Sequence, residues 1–266
     1  MSRIDGCSAL ITGASAGIGR EFARQLAGRA ASIVLVARRR ERLEELREEL
    51  IRTNPKLRVQ IREADLSNDH GVIDLFRSLE GEEISVDLLI NNAGLGDHGL
   101  FATSDLERVE QMLAVNVRAL TVLTRLFLPK MIASKRGTIL NVSSTAGFLP
   151  LGGFAVYAAT KAYVTSFSEA IRAELHGTGV TVTALCPGPV GTEFSQVARR
   201  DTAIREKSAP GFMYVSVEKV VSVTLDAVER DQPIIIPGFF MKLAMLLTRL
   251  LPSPVLRLVS RGSAKQ

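Results

Sequence analysis

The feature that most constrains the fold of this chain is a series of short apolar runs that do not alternate. The segment ASIVLVA at 31–37 is apolar at nearly every position, and further runs rich in apolar or β-branched residues fall at 8–12, 58–63, 86–91, 137–142, 180–186 and 234–236. A strand with one wet face alternates apolar and polar residues; a strand covered on both faces has no need to. Longer amphipathic stretches separate the runs, at 17–27, 40–53, 68–79, 105–132, 156–175 and 216–230. Strand and helix in strict turn imply an α/β fold: a doubly wound parallel sheet of about seven strands with helices on both faces. Ser104-Asp105-Leu106-Glu107 has the form of a capping box and marks the start of the 105–132 helix. No linker, repeat or composition break divides the chain before residue 190. The expectation is one domain over 1–236, with 187–216 its longest irregular segment, a substrate lid at about 191–214 and an extension over 237–266.

A chain of 266 residues buries enough surface to need neither disulfide nor metal. Cys7 and Cys186 form no CxxC motif and sit in or beside apolar runs, so buried, reduced thiols are expected. His70, His98 and His176 are scattered, without metal-ligand spacing, and no metal is expected. Met1 to Gly6 is polar and leads straight into the first run, which argues against a signal peptide. The apolar stretch 239–251 is only 13 residues long and is interrupted by Lys242 and Arg249, too short to span a bilayer. The chain reads as soluble and cytoplasmic.

The net charge of +5 invites a nucleic-acid partner, so its location matters. Residues 232–266 carry Lys242, Arg249, Arg257, Arg261 and Lys265 and no acid, which accounts for the whole excess. The body is therefore charge-balanced and lacks an aromatic-basic patch. No nucleic-acid partner is expected.

After the first run comes Thr12-Gly13-Ala14-Ser15-Ala16-Gly17-Ile18-Gly19, then an amphipathic helix. Glycines at a strand-to-helix turn let the backbone approach a pyrophosphate, whose charge the helix N-terminus favours. The second run ends Ala37-Arg38-Arg39-Arg40, with no acid before Glu41. An acid there holds a ribose 2′-hydroxyl, whereas arginine accommodates a 2′-phosphate. This points to NADP, with NADPH preferred over NADH, Arg38 as the phosphate contact and Arg39 as a helper. The competing reading has these arginines opening a solvated helix and pairing with Glu44 and Glu45.

Four further pieces follow in order. Asn91-Asn92-Ala93-Gly94 closes the fourth run; Asn116 lies within a helix; Asn141-Val142-Ser143-Ser144 closes the fifth, followed by Tyr157-Ala158-Ala159-Thr160-Lys161; and Pro187-Gly188-Pro189-Val190-Gly191-Thr192 follows the sixth. Tyr157 and Lys161 are four apart and share a helix face. An ammonium beside a phenol favours the phenolate and draws its pKa toward neutrality, so Tyr157 can serve as general acid or base. Ser144, at a strand end, can donate to a carbonyl oxygen on which negative charge develops.

From about 8 to 192 the chain resembles the short-chain dehydrogenase/reductase family in its compact, non-extended form. The resemblance implies a Rossmann-type fold and a carbonyl–alcohol oxidoreductase with Asn116, Ser144, Tyr157 and Lys161 as catalytic residues. Lys161 would also grip the nicotinamide ribose beside Tyr157, and Asn116 would support a water relay. By the same resemblance, Gly13, Ser15, Ala16, Gly17, Ile18 and Gly19 hold the pyrophosphate. Asp65 with Leu66 faces the adenine; Asn92, Ala93 and Gly94 line the adenosine and ribose; Pro187, Gly188, Val190 and Thr192 lie against the nicotinamide. Ala16 departs from many NADP-dependent relatives, which carry a basic residue there, leaving the arginines after strand two as the phosphate clamp. Relatives of this kind are commonly dimers or tetramers, so a homodimer or homotetramer is expected.

Leu95, Leu100, Phe101, Phe148, Leu149, Phe154, Phe194, Phe212 and Met213 suit either a lipophilic carbonyl substrate or simple lid packing. His98 could touch substrate or stand in solvent. The tail places Phe239, Phe240, Leu243, Leu246, Leu247, Leu250 and Leu251 on one helical stripe, with Lys242 and Arg249 on the other side. Core packing, a subunit contact and peripheral docking on an anionic membrane all fit that stripe. The alternative to an enzyme is a regulator that senses NADP(H) without turnover.

Overall fold

The structure is a computed structural model, and it describes residues 2–198 and 211–250. Seven strands form one parallel sheet: β1 (Ser8–Thr12), β2 (Ser32–Ala37), β3 (Arg58–Glu63), β4 (Leu88–Asn91), β5 (Gly137–Val142), β6 (Val180–Leu185) and β7 (Ile234–Ile235). Their order is β3-β2-β1-β4-β5-β6-β7. The chain thus runs outward from β1 in one direction, returns, and runs outward in the other, which creates a crevice at the carboxyl ends of β1 and β4. In β4, β5 and β6 every residue is buried, the physical reason their sequences do not alternate. One apolar layer gathers around Phe22, Leu26, Leu43 and Val221, and the other around Val72, Leu123, Phe127 and Met131.

The helices are α1 (Gly17–Leu26), α2 (Arg40–Thr53), α3 (Asp69–Gly81), α4 (Leu106–Leu113), α5 (Leu120–Ala133), α6 (Ala155–Glu174), α7 (Phe194–Ala198), α8 (Val217–Glu229) and α9 (Phe239–Leu250). The expected 105–132 helix differs in two respects. Its N-cap is Asp105, whose carboxylate accepts from Glu107 N–H at 3.0 Å, while the Ser104 hydroxyl donates back to Phe101 O at 2.7 Å. A cap one residue later than the capping box wins because both side chains find a backbone partner. The helix also widens to π geometry over Ala114–Ala119, between α4 and α5. The continuous helix over 106–133 has the length and apolarity to cross a bilayer, but Leu120, Leu123, Phe127 and Met131 are buried against the sheet.

The 187–216 segment is not wholly irregular, since it carries α7 and a short turn at Gly211–Met213. The part of the expected lid at 199–210, and the part of the expected extension at 251–266, lie outside the described residues. Cys7 and Cys186 are buried and not joined in a disulfide, as expected.

Candidate active site

The turn from β1 into α1 is built by close approach. Gly13 has φ +66, and a side chain there would meet the Ala93 backbone at 2.9 Å. Ala16 caps α1 without a side-chain hydrogen bond, and the first turn of α1 has no acid. Its leading N–H groups therefore stay available to an anion, with the helix dipole in the same sense. The β4 end is pinned beneath: Thr12 Oγ1 accepts from Asn92 N–H and Ala93 N–H, both at 3.0 Å, and Asn92 Nδ2 donates to Thr12 O at 2.9 Å. Two segments 80 residues apart in sequence thereby form one cradle. A glycine-walled turn with free amides fits a pyrophosphate, and Gly13, Ser15, Gly17, Ile18 and Gly19 are the residues that would hold it.

Of the two arginines expected beside it, Arg39 donates to Ser15 Oγ at 3.1 Å, within the turn itself. Arg38 lies exposed just after β2; against the cost of burial, the Ser67 hydrogen bonds hold the Asp65 carboxyl below its ordinary value, and the Arg38 charge adds to them. Asp65 also accepts from the N–H and hydroxyl of Ser67, so it builds the turn after β3 as well as facing the crevice. Leu66 is buried beside it. The expected pairing of the cluster with Glu44 involves Arg40. Arg39 and Arg42 instead reach Glu193, 3.2 and 2.8 Å away, at the start of the lid.

The other half of the site gathers at the end of β5. Ser144 Oγ accepts from Ala146 N–H at 3.1 Å, and its hydroxyl stands near enough to Tyr157 to lower the phenol's pKa. Lys161, one turn beyond Tyr157 in α6, is buried and donates to Val142 O at 2.8 Å, with its Nζ 5.8 Å from the Tyr157 ring centre. Asn116 is buried in the π-helical segment, where Oδ1 accepts from Leu95 N–H and Nδ2 donates to Leu95 O, each at 2.8 Å, and to Thr160 Oγ1 at 3.1 Å. π-bulges inside helices are frequent at functional sites. Gly94 connects the two halves: a side chain there would stand 3.4 Å from Lys161 Nζ and 3.5 Å from Asn116 Oδ1. The four expected catalytic residues thus lie together, at the edge of the cradle.

One expectation is corrected here. The Tyr157 phenol is not drawn toward neutrality: burial pushes it up to about 12, and the nearby Ser144 hydroxyl only partly opposes this. Lys161, itself desolvated and held down to about 8, turns its ammonium to the Val142 carbonyl rather than to the phenol. Tyr157 therefore stands neutral, with a proton to give.

The remaining expected residues also border the crevice. Pro187 O accepts from Thr145 N–H at 2.9 Å, and Thr192 lies against Gly17, 3.2 Å from where a side chain would project. Gly188 lies under Met241 of α9, and Val190 packs on the sheet. Phe194 and Phe154 flank Tyr157 with ring centres 5.4 and 6.1 Å away, and His98 stacks on Phe154 at 4.4 Å. The side chain of Phe212 is outside the described residues. Three contributors escaped the sequence reading: Ser143, whose hydroxyl donates to Lys161 O at 2.7 Å; Thr160, which holds Asn116; and Glu193. Ser143 and Thr160 lie inside quoted motifs, but nothing local marks Glu193.

With the glycine-walled cradle and the serine–tyrosine–lysine group meeting at the carboxyl edge of one parallel sheet, the molecule falls in the class of nucleotide-dependent dehydrogenases. The chain belongs to the short-chain dehydrogenase family, whose model matches residues 8–203, and it is an oxidoreductase. It is 38% identical over 215 residues to the NADP-dependent 3-hydroxy acid dehydrogenase YdfG of Escherichia coli K12, covering 79% of this chain and 84% of that protein. Among solved structures, it is similar to a short-chain dehydrogenase from Sphingobium yanoikuyae in complex with NADPH, with 29% identity, TM-score 0.78 and coverage of 93% and 97% of the two chains. It is also similar to the bulky-bulky ketone specific alcohol dehydrogenase of Comamonas testosteroni, with 29% identity, TM-score 0.76 and coverage of 92% and 93%.

Proposed function

We propose that this protein is an NADPH-dependent carbonyl reductase for lipophilic ketones or aldehydes, able to run in reverse on the alcohols. The observation that carries the reading is the meeting of Ser144, Tyr157, Lys161 and Asn116 at the end of β5, with Lys161 buried one turn beyond Tyr157 and its Nζ 5.8 Å from the phenol ring centre. Arg39 at the glycine turn and the NADP-dependent name of the Escherichia coli relative support the cofactor. When bound, the nicotinamide would supply or accept the hydride. The chain's own groups do the rest. Ser144 donates to the substrate oxygen as charge develops there, Tyr157 gives it a proton, and Lys161 with Asn116 lies behind Tyr157 to replace that proton. Phe154 and Phe194 around Tyr157, and the bulky-ketone specificity named for the Comamonas enzyme, support a large apolar substrate.

A ketone panel followed at the nicotinamide absorbance with NADPH and NADH tests this. Ketone-dependent NADPH oxidation should fall about 100- to 10,000-fold in Tyr157→Phe, the range of a lost general acid. NADPH binding with no turnover on any carbonyl or alcohol would instead make the protein a sensor. We also infer a homo-oligomer; exposed Leu113 and Tyr163, on α4 and α6, support it, and light scattering in solution tests it.

A further inference from the structure

The helix α9 presents three faces. Its inner face packs on the reaction centre: Met241 and Met245 are buried, Met241 lies over Gly188, and the helix rests on the Thr145–Phe148 turn that follows Ser144. Its outer face carries Phe239, Phe240, Leu243, Leu246 and Leu247, all exposed, with Phe239 fully 75% accessible. Along the edge between them stands exposed Lys242. Exposed apolar patches of this kind mark interaction surfaces.

Charge selects the occupant. Residues 232–266 hold five basic residues and no acid, while the rest of the chain is neutral. A second copy meeting this face about a two-fold axis would set each patch against itself. It would then bring two basic edges together with no acid in the segment to answer them. An anionic lipid surface answers the charge and accepts the apolar face, with the phenylalanines in the acyl boundary and the basic residues among headgroups. We propose that α9 docks the protein on an anionic phospholipid bilayer by this outer face, so that the reaction centre opens at the membrane surface. The docking stands independently of the substrate; if the substrate is lipophilic, it would also be the route by which it arrives.

The test is sedimentation of the full-length protein with phosphatidylcholine vesicles, with and without phosphatidylglycerol. The protein should sediment with the anionic vesicles and be released by about 0.5 M salt. Leu243→Glu/Leu247→Glu should weaken partition at least about tenfold, and Lys242→Glu about fivefold. Thermal melts and NADPH titration confirm that these exposed substitutions leave the fold and the cofactor side intact; if the double variant does not fold, Lys242→Glu carries the test. Absence of sedimentation with anionic vesicles overturns the proposal, as does partition unchanged in the folded variants. A dimer that the double variant dissociates, without any vesicle binding, assigns the face to a second copy. None of these readouts depends on turnover, so they stay separate from the test of the reductase.

Discussion

Glu193 shows how a single residue can couple two parts of this site. Its carboxylate meets Arg42 at 2.8 Å and Arg39 at 3.2 Å, and these guanidiniums, Arg42 foremost, hold it below the usual carboxylate range. Arg39 also faces the glycine turn, so the carboxylate stands where a ribose 2′-phosphate would compete for the same donors. All three side chains are well exposed, and exposed ion pairs are weak; a dianionic phosphate displaces one readily. Glu193→Gln should therefore tighten NADPH binding about threefold while leaving NADH binding unchanged, as read by fluorescence titration of both cofactors. An equal change for both would mean that Glu193 acts on the lid alone. The sequence could not show this contact, because its partners lie about 150 residues away and charge patterning reaches only neighbours.

The elements of the cradle depend on contact distances that leave no room for a side chain. A Cβ on Gly19 would stand 2.4 Å from Gly13 O and 2.4 Å from Asn92 Nδ2. One of those is backbone and the other is pinned by Thr12, so neither can yield cheaply. Gly19→Ala should cost about 1–3 kcal/mol of stability and should weaken cofactor binding by more than this loss alone would, since the turn itself must open. Denaturant unfolding and NADPH titration on the same protein check both. At this scale the chain was largely legible. Ser8–Thr12, Arg40–Thr53, Arg58–Glu63 and Gly137–Val142 stand where their patterns place them, because strands covered on both faces read as unbroken apolar runs, the half-exposed edge strand β3 alternates, and a helix with a single buried stripe keeps its period. The π segment was not legible: its residues are ordinary helix formers, and the bonds that hold Asn116 go to Leu95, in the loop after β4, and to Thr160 of α6. The same limit hid the cap at Asp105, where two adjacent residues were both competent.

Across the whole molecule, the doubly wound parallel sheet followed from the chain's alternation, and the four site residues came together because the end of β5, the π-helical segment and α6 deliver them to the same edge. What the sequence could not convey was the electrostatic state of that edge, which depends on burial rather than spacing. Burial holds Lys161 down to about 8 in the folded protein, against about 10.4 in an unfolded chain. Between those values the unfolded state binds more protons, so this residue's contribution to stability rises as pH increases through the window and is least favourable below pH 8. Lys161 thus destabilises the fold at neutral pH for the sake of the site. Replacing it with methionine removes the buried charge and leaves Val142 O without its donor, a loss of about 1–3 kcal/mol that does not vary with pH. The stability of Lys161→Met relative to the parent should therefore fall by about 3 kcal/mol as pH rises from about 8 to about 10.4. Turnover, which the variant loses at every pH, should decline in the parent as pH passes about 8. Tyr157 titrates near 12 and cancels in the comparison. Parallel stability curves for the two proteins across that window, measured by urea unfolding, would mean that the Lys161 ammonium is solvated in the folded state.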